Sequence, residues 1–289
     1  MIGVEGKLAI IGWPVSHSRS PLIHNHWLAE HGLPPVYEAY PIDPKDDFRT
    51  ALLRMADEGF VGANVTVPHK EAAFGAMDEL SSAAQILGAV NTISFQHGKL
   101  RGDNTDGDGF LLGLEAALAE GEAKASWQSA PALVLGAGGA ARAIIAALGR
   151  AGVADIRLVN RTREKAEALS SLVSGIAANM TIGDWENRAV LAKGCGLLVN
   201  TTSLGMVGRP PLDMALDGLK EGALVSDIVY APLQTALLRL AQASGYIAVD
   251  GLGMLLHQAA LSFEIWTGTR PKIDHELRAL LLADLAEKD

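Results

Sequence analysis

Short apolar runs alternate with longer amphipathic stretches along most of this chain. Residues 7–11 form a compact apolar run leading into Gly12-Trp13-Pro14, and Ser20-Pro21 then opens a helix, with a cap and a first-turn proline, that Gly32 closes. The cycle repeats: 36–42 reads as a strand, Asp43 caps a helix through Ala56, and 62–67 is a third strand. Strands alternating with helices predict a mostly parallel, helix-covered sheet. Two short strands at 90–95 and 99–101 join at His97-Gly98. The stretch Gly-Asp-Asn-Thr-Asp-Gly at 102–107 marks a turn, and a helical run covers about 109–119.

A polar, alanine-rich stretch at 120–129 separates that helix from a new apolar strand at 132–135, where a second domain begins. The same alternation continues, with strands expected near 155–160, 196–200, 223–228 and 246–249. After Gly251 the pattern changes: Leu252, Leu255, Leu256, Ala259, Ala260 and Phe263 share one helical face, and Leu277, Leu280, Leu281 and Leu285 mark a last amphipathic helix. By periodicity alone, these two helices either cover the second sheet or cross back to brace the first domain.

The length of 289 residues fits two domains, each with its own core, and a hydrophobic share of 49% is ordinary for globular chains. The single cysteine, Cys195, excludes an internal disulfide framework and reads as a buried thiol. The N-terminal residues lack a signal-peptide pattern and no run is long enough for a membrane span, so a cytoplasmic protein is expected. A net charge of -9 argues against nucleic acid or an anionic membrane as main partner, and leaves room for an anionic small ligand at a local basic cluster. The eight histidines form no metal-binding spacing, so no metal site is expected.

The second domain opens on Leu133-Val134-Leu135-Gly136-Ala137-Gly138-Gly139-Ala140-Ala141, a strand followed by Gly-x-Gly-x-x-Ala. Gly136 allows the tight turn, Gly138 lets a pyrophosphate approach the backbone, and Ala141 permits close helix packing. The helix start then offers free N–H groups to the phosphates. The next strand should end beside the adenosine ribose, where NAD enzymes commonly place a carboxylate. This chain has Asn160-Arg161-Thr162-Arg163 instead, with Lys165 two residues on, which favours the 2'-phosphate of NADP(H) over NAD.

In Asn64-Val65-Thr66-Val67-Pro68-His69-Lys70 an alternating strand pattern stops at a proline and delivers a lysine. Ketone reduction by hydride needs a proton donor near the developing alkoxide, and a lysine held by a carboxylate can serve. Asp106 is placed for that partnership, with Asp103 and Asp108 as rivals that spacing barely separates.

His17-Ser18-Arg19-Ser20-Pro21, Asn64 to Lys70, Gly88-Ala89-Val90-Asn91-Thr92 and Asp103-Asn104-Thr105-Asp106-Gly107 resemble the shikimate dehydrogenase family. So do Asn160-Arg161-Thr162, the stretch Asn200 to Met206, the stretch Asp227 to Thr235, and Gly251-Leu252-Gly253-Met254-Leu255-Leu256-His257-Gln258. The resemblance spans nearly the whole chain in order. It implies an α/β fold: an N-terminal α/β substrate domain (1–105, completed by helices 252–289) and a Rossmann-type, doubly wound parallel-sheet NADP domain (106–251). The C-terminal helices are implied to return to the first domain. The implied activity is NADPH-dependent reduction of 3-dehydroshikimate to shikimate, on the route to aromatic amino acids, by a monomer or homodimer.

The same resemblance implies a catalytic pair, Lys70 and Asp106. It implies Ser18 and Ser20 as donors to the substrate carboxylate, with Thr66 and Tyr230 assisting, and Asn64, Asn91 and Gln258 as partners of ring hydroxyls. On the cofactor side it implies Gly136, Ala137, Gly138, Gly139, Ala140, Asn160, Arg161, Thr162, Lys165, Thr201, Ser203, Met206 and Gly251. A quinate or aminoshikimate dehydrogenase of the same fold and a non-catalytic nucleotide sensor are the alternatives.

Overall fold

The computed structural model describes residues 6–120, 127–176 and 179–286, in two compact units. One unit runs to Thr105 and also takes Leu256–Asp284; the other holds Asp106–Leu255 and the residues from Leu285. Among the described residues, no helix is long and apolar enough to cross a membrane.

The first unit runs β1 (Lys7–Gly12), α1 (Ser20–Glu30), β2 (Tyr37–Pro41), α2 (Phe48–Asp57), β3 (Phe60–Val65), α3 (Lys70–Ala76), β4 (Glu79–Leu80), α4 (Ser82–Leu87), β5 (Thr92–Gln96) and β6 (Lys99–Asp103). Its sheet has the order β2-β1-β3-β5-β6-β4. The pairings β2–β1 and β1–β3 are parallel, whereas β5 runs antiparallel to both β3 and β6. Parallel strands buried on both faces read as continuous apolar runs, as Leu8 to Ile11 do, each at most 4% exposed.

Several local expectations are corrected here. Asp47, not Asp43, caps α2, its carboxylate accepting from Thr50 N–H at 2.8 Å, while Asp43 accepts from Lys45 N–H in the preceding turn. Ser20 is the first helical residue of α1 rather than its cap; Arg19 holds the cap position without a side-chain bond, and Ser20 N–H donates to Ser18 Oγ at 3.2 Å. Strand β3 ends at Val65, so Thr66 lies beyond the ladder, although its N–H still donates to Ile11 O at 2.8 Å. His69 then turns helical, with φ -93° and ψ -4°, and Lys70 becomes the first residue of α3 instead of trailing a strand.

The second unit begins with α5 (Asp106–Glu120), which starts at Asp106 itself and not near 109. It continues with β7 (Ala132–Leu135), α6 (Gly139–Arg150), β8 (Asp155–Val159), α7 (Arg163–Leu172), β9 (Asn179–Gly183), α8 (Arg188–Leu191), β10 (Leu197–Asn200), β11 (Leu224–Asp227), α9 (Ala236–Ala243) and β12 (Ile247–Val249). All six strands are parallel, in the order β12-β11-β10-β7-β8-β9. The order reverses at β7, the doubly wound arrangement in which ligands bind beyond the strand ends at the switch point. Strand β9 escaped the sequence pattern because it is mostly half-exposed and carries no apolar run.

The chain ends with α10 (Gly251–Thr267) and α11 (His275–Ala286). From Leu256 to Asp284 these helices belong to the first unit. Trp266 Nε1–H donates to Ile93 O of β5 and Trp27 Nε1–H of α1 donates to Lys272 O, both at 2.9 Å. Phe263, fully buried, meets Trp27 edge-on at 5.6 Å. A side chain at Gly62 of β3 would stand 2.4 Å from the Trp266 indole, so the glycine permits the helix to lie against the strand.

At the end of β11, Asp227 is buried without a cation. Its Oδ1 accepts from Asn200 Nδ2 and Val229 N–H, and its Oδ2 from Thr235 Oγ1. Burial nevertheless pushes its carboxyl above the ordinary value of 3.8, the three hydrogen bonds opposing only part of that effect. A raised folded-state pKa means that protonation favours the folded form, a contribution present below about 3.8 and lost as pH rises through the folded value. Asp227→Asn can keep the same partners without the charge. Its stability relative to the natural chain should increase as pH rises above about 3.8 and level off once the pH passes the raised folded value, measured by urea unfolding; a difference independent of pH contradicts the assignment.

Candidate active site

In the second unit, strand β7 delivers the chain into the glycine turn. Gly136 has φ +109°, and a Cβ there would lie 2.5 Å from Thr201 Oγ1. Thr201 is committed to that spot, its hydroxyl donating to Leu135 O at 2.7 Å. Gly138 and Gly139 differ: an added Cβ at either meets nothing within 4 Å. Space beside Gly138 is what close approach of a phosphate requires, and α6 starts there with Gly138 at its cap.

A groove of about 400 Å³ opens over this turn, lined by Ala137, Gly138, Asn160, Arg161, Thr162, Lys165, Trp185, Thr202, Ser203 and Leu204. No lining residue is acidic. Arg163, grouped with the basic residues by sequence, is spent elsewhere, on Glu167 at 2.9 Å and Asp184 at 2.7 Å. Arg161 and Lys165 therefore carry the positive charge of the groove, and Asn160 Nδ2 donates to Thr162 O at 2.8 Å, shaping the loop between them. The donor set fits an anionic dinucleotide carrying an additional phosphate at its ribose end.

Not every expected cofactor residue lines this groove. Gly139 and Ala140 form the first turn of α6 rather than its wall, and Met206 is 45% exposed in the loop beyond Ser203. Gly251 starts α10 with no room for a side chain, a Cβ there falling 2.3 Å from Ile228 O. Three lining residues were missed. Trp185, whose ring lies 5.1 Å from the Arg188 guanidinium, comes after the unrecognised strand β9 and had no local signal; Thr202 and Leu204 belong to the stretch from Thr201 to Met206 that was expected to border the cofactor, but were not singled out in it.

In the first unit three of the polar residues expected at the substrate, Asn64, Asn91 and Gln258, share one lattice of hydrogen bonds. Asn91 Oδ1 accepts from Thr105 N–H and from Thr92 Oγ1, each at 2.9 Å, and its Nδ2 donates to Thr105 Oγ1 at 2.9 Å and toward Gln258 Oε1 at 3.5 Å. Asn64 Nδ2 donates to Ser262 Oγ at 2.9 Å and Asn91 O at 3.2 Å, while its Oδ1 accepts from Tyr37 Oη at 2.8 Å. Both amide protons of Asn64 are thus used internally. Thr105 Oγ1 donates to Gln258 O at 3.1 Å, tying the loop after β6 to α10.

Ser262, Tyr37, Thr92 and Thr105 escaped the sequence reading. Ser262 had a signal, a polar residue set among Ala259, Ala260 and Phe263 on the buried stripe of α10. Ser18 is half-buried and Ser20 is 6% exposed at the start of α1, and Thr66 sits just past β3. Lys70, half-buried, heads α3, its carbonyl accepting from Val90 N–H at 2.9 Å. In the second unit Asp106, 6% exposed, heads α5, and Tyr230 is half-buried in the loop after β11.

His69 is excluded from chemistry by its packing. Its Nε2–H donates to Ile42 O at 2.7 Å and its ring stacks on Phe48. Cys195 is fully buried, and burial raises its thiol to about 11, which makes it a poor nucleophile. Among the described residues one group could hold a cation, His26, Glu30 and Asp274, but Asp274 Oδ1 already accepts from Leu277 N–H and His26 stands 3.7 Å from Glu30 as an ordinary helical pair.

Three family models cover this chain in succession: the shikimate dehydrogenase substrate binding domain at residues 10–93, shikimate / quinate 5-dehydrogenase at 117–190, and the shikimate 5'-dehydrogenase C-terminal domain at 251–281. The chain is 50% identical to the Shikimate dehydrogenase (NADP(+)) of Methylobacterium radiotolerans over 278 residues, 96% of each chain. The chain belongs to the shikimate dehydrogenase family. Among solved structures it is similar to the Thermus thermophilus shikimate 5-dehydrogenase in complex with NADP(H) and shikimate, at 36% identity, TM-score 0.80 and 98% coverage of both chains. It is also similar to the Corynebacterium glutamicum quinate dehydrogenase in complex with NAD, at 30% identity and TM-score 0.88, covering 96% of this chain and 99% of that one. The family's substrate-binding model takes in Ser18, Ser20, Asn64, Thr66, Lys70 and Asn91, the greater part of the polar set in the first unit.

The two glycines of the turn should separate folding from binding. Gly136→Ala forces a side chain into φ +109° and against Thr201, and should lower stability by about 1–3 kcal/mol in urea unfolding. Gly138→Ala has open space and an ordinary φ of -91°, so unfolding should barely change while dinucleotide binding weakens in calorimetric titration; equal stability losses would contradict this division.

Proposed function

We propose that this shikimate dehydrogenase family member reduces 3-dehydroshikimate to shikimate with NADPH, reversibly, as a step toward aromatic amino acids. The observation that carries the cofactor choice is the groove whose charged lining is Arg161 and Lys165 without a carboxylate, since NAD sites favour an acid for the 2'-hydroxyl. Near-half identity across almost the full length of an NADP(+)-named relative supports the same reading.

NADPH, when bound, supplies a hydride to the ketone carbon. The remaining chemistry falls to side chains of this chain. Lys70 is assigned as the acid that gives its Nζ proton to the oxygen as the alcohol forms, and Asp106 as the carboxylate that keeps the lysine charged and oriented. Ser18 and Ser20 are assigned to the ligand carboxylate, at the start of α1 where the helix dipole also favours an anion, with Thr66 and Tyr230 assisting. Asn91 and Gln258 are assigned to ring hydroxyls. The lattice bonds already made by Asn91 fix its amide in one orientation, so a ring hydroxyl is met in one geometry only.

The alternative, a quinate dehydrogenase using NAD, is favoured by the fold match to the Corynebacterium glutamicum enzyme. It predicts an acid at the ribose end of the groove, and none lines it.

Following NADPH absorbance with 3-dehydroshikimate, and the reverse reaction with shikimate or quinate and either cofactor, tests the proposal; absence of turnover with every pair overturns it. Lys70→Ala should lower kcat by about 10²–10⁴ with little change in KM for the substrate; a near-normal rate removes Lys70 from the mechanism. The double variant Arg161→Ala with Lys165→Ala should raise KM for NADPH about tenfold or more and leave activity with NADH unchanged, because only the 2'-phosphate loses charge-assisted bonds. Equal effects on both cofactors would place the two residues away from the phosphate.

A further inference from the structure

Strand β10 ends on Asn200, which is fully buried, and the loop that follows supplies Thr202, Ser203 and Leu204 to the wall of the cofactor groove. Residues 201–206 belong to no helix or strand, so their backbone polar groups must find other partners. The Asn200 carboxamide provides several of them. Its Oδ1 accepts from Thr202 N–H at 3.0 Å and from Thr202 Oγ1 at 2.8 Å, and its Nδ2 donates to Leu204 O at 3.1 Å and to Asp227 Oδ1 at 2.9 Å.

The directions of these bonds follow from partners that have only one role. A backbone N–H only donates, so the amide oxygen faces Thr202; a carbonyl only accepts, so the NH₂ group faces Leu204. Leu204 N–H donates to Thr202 Oγ1 at 3.1 Å, and the single hydroxyl proton is given to Asn200. Thr202 therefore lines the groove without a proton to offer a ligand; what it contributes is its place in the wall. With both amide protons and both lone pairs of its oxygen in use, Asn200 has one orientation and the loop has one path.

Strands β10 and β8 are the two neighbours of β7 in the sheet, so the loops that follow them flank the glycine turn. One loop carries Thr202 to Leu204, and the other leads to Arg161 and Lys165. The path that Asn200 imposes on the first loop sets the room left for a ligand beside the second. We propose that Asn200 is a positioning residue for the dinucleotide, holding the groove wall through Thr202 and Leu204 without touching the cofactor itself. The proposal rests on the reading that this groove takes NADPH. Arg161 and Lys165 are assigned to the 2'-phosphate, which NADH lacks, whereas a displaced wall affects both cofactors alike.

Thr202→Val keeps the side-chain shape and removes the hydroxyl that joins Asn200 to Leu204 N–H. In the free protein, amide hydrogen exchange in the 201–206 stretch should speed up about tenfold. Calorimetric titration should show Kd for NADPH and for NADH rising together, about fivefold, with kcat at saturating NADPH within about threefold of the natural chain. Thr202→Ser returns the hydroxyl and should recover most of both losses. A lattice that served folding alone would lower Tm and leave Kd for NADPH within twofold, which overturns the proposal. A hydroxyl that bound the cofactor directly would leave exchange in the free protein unchanged, and that result overturns it as well. In a double-mutant cycle, Asn200→Ala with Thr202→Val should bind NADPH little worse than Asn200→Ala alone, and additive losses count against the proposal. If Asn200→Ala does not fold, the Thr202 measurements decide alone. A natural chain that binds no NADPH would instead reject the proposed function, so the two failures are distinct.

Discussion

Two amides, Asn64 and Asn91, lie almost wholly out of water, and the first unit is arranged around the need to pair them. A buried carboxamide without partners costs about 1–3 kcal/mol for each unmet group, so the surroundings must supply donors and acceptors in fixed places. Asn64 draws on Tyr37 of β2 and Ser262 of α10, while Asn91 draws on Thr92 of β5, Thr105 of the loop beyond β6, and Gln258 of α10. Four separate stretches of chain are thereby held in one register. Because each acceptor and donor is specified, the lattice holds its members in one orientation.

The second unit meets a different constraint. Its parallel sheet buries Leu133, Leu135, Leu197, Leu198 and their neighbours completely, so polar function is confined to the strand ends. There the chain uses backbone and small residues: Gly136 turns where a Cβ would strike Thr201, and Gly138 leaves a space no side chain fills. Charge is added sparingly, by Arg161 and Lys165, while the neighbouring Arg163 is neutralised by Glu167 and Asp184. A net negative protein can thus present a local anion site without a broadly basic surface.

Much of this was legible in the sequence, and the exceptions have physical causes. Apolar runs such as 132–135 and 197–200 announce buried strands, and the glycines after the first run announce a tight passage from strand to helix. Strand β9 was not legible, since its half-exposed residues lack an apolar signature. Asp43 reads in the sequence as the cap of α2, and the path of the following turn gives that place to Asp47 instead. Lys70 reads in the sequence as trailing a strand, and its helical setting depends on His69 turning inward to Ile42 O, a tertiary contact that spacing does not reveal. The polar lattice was half visible: asparagines in motifs drew notice, while Tyr37 and Ser262 became meaningful only once α10 was seen beside β3 and β5.

The return of α10 and α11 to the first unit sets an order on synthesis. The sheet of that unit is fully translated by Asp103, yet Ser262, Phe263, Trp266 and Lys272, which close its core and its hydrogen bonds, are made more than a hundred residues later. All six strands of the second unit, by contrast, come from one uninterrupted stretch. During translation the later-coded sheet can therefore complete itself first, while the earlier one waits with its polar lattice and its apolar seam unfilled. The interval is a window in which the nascent N-terminal half is exposed to aggregation and to chaperones.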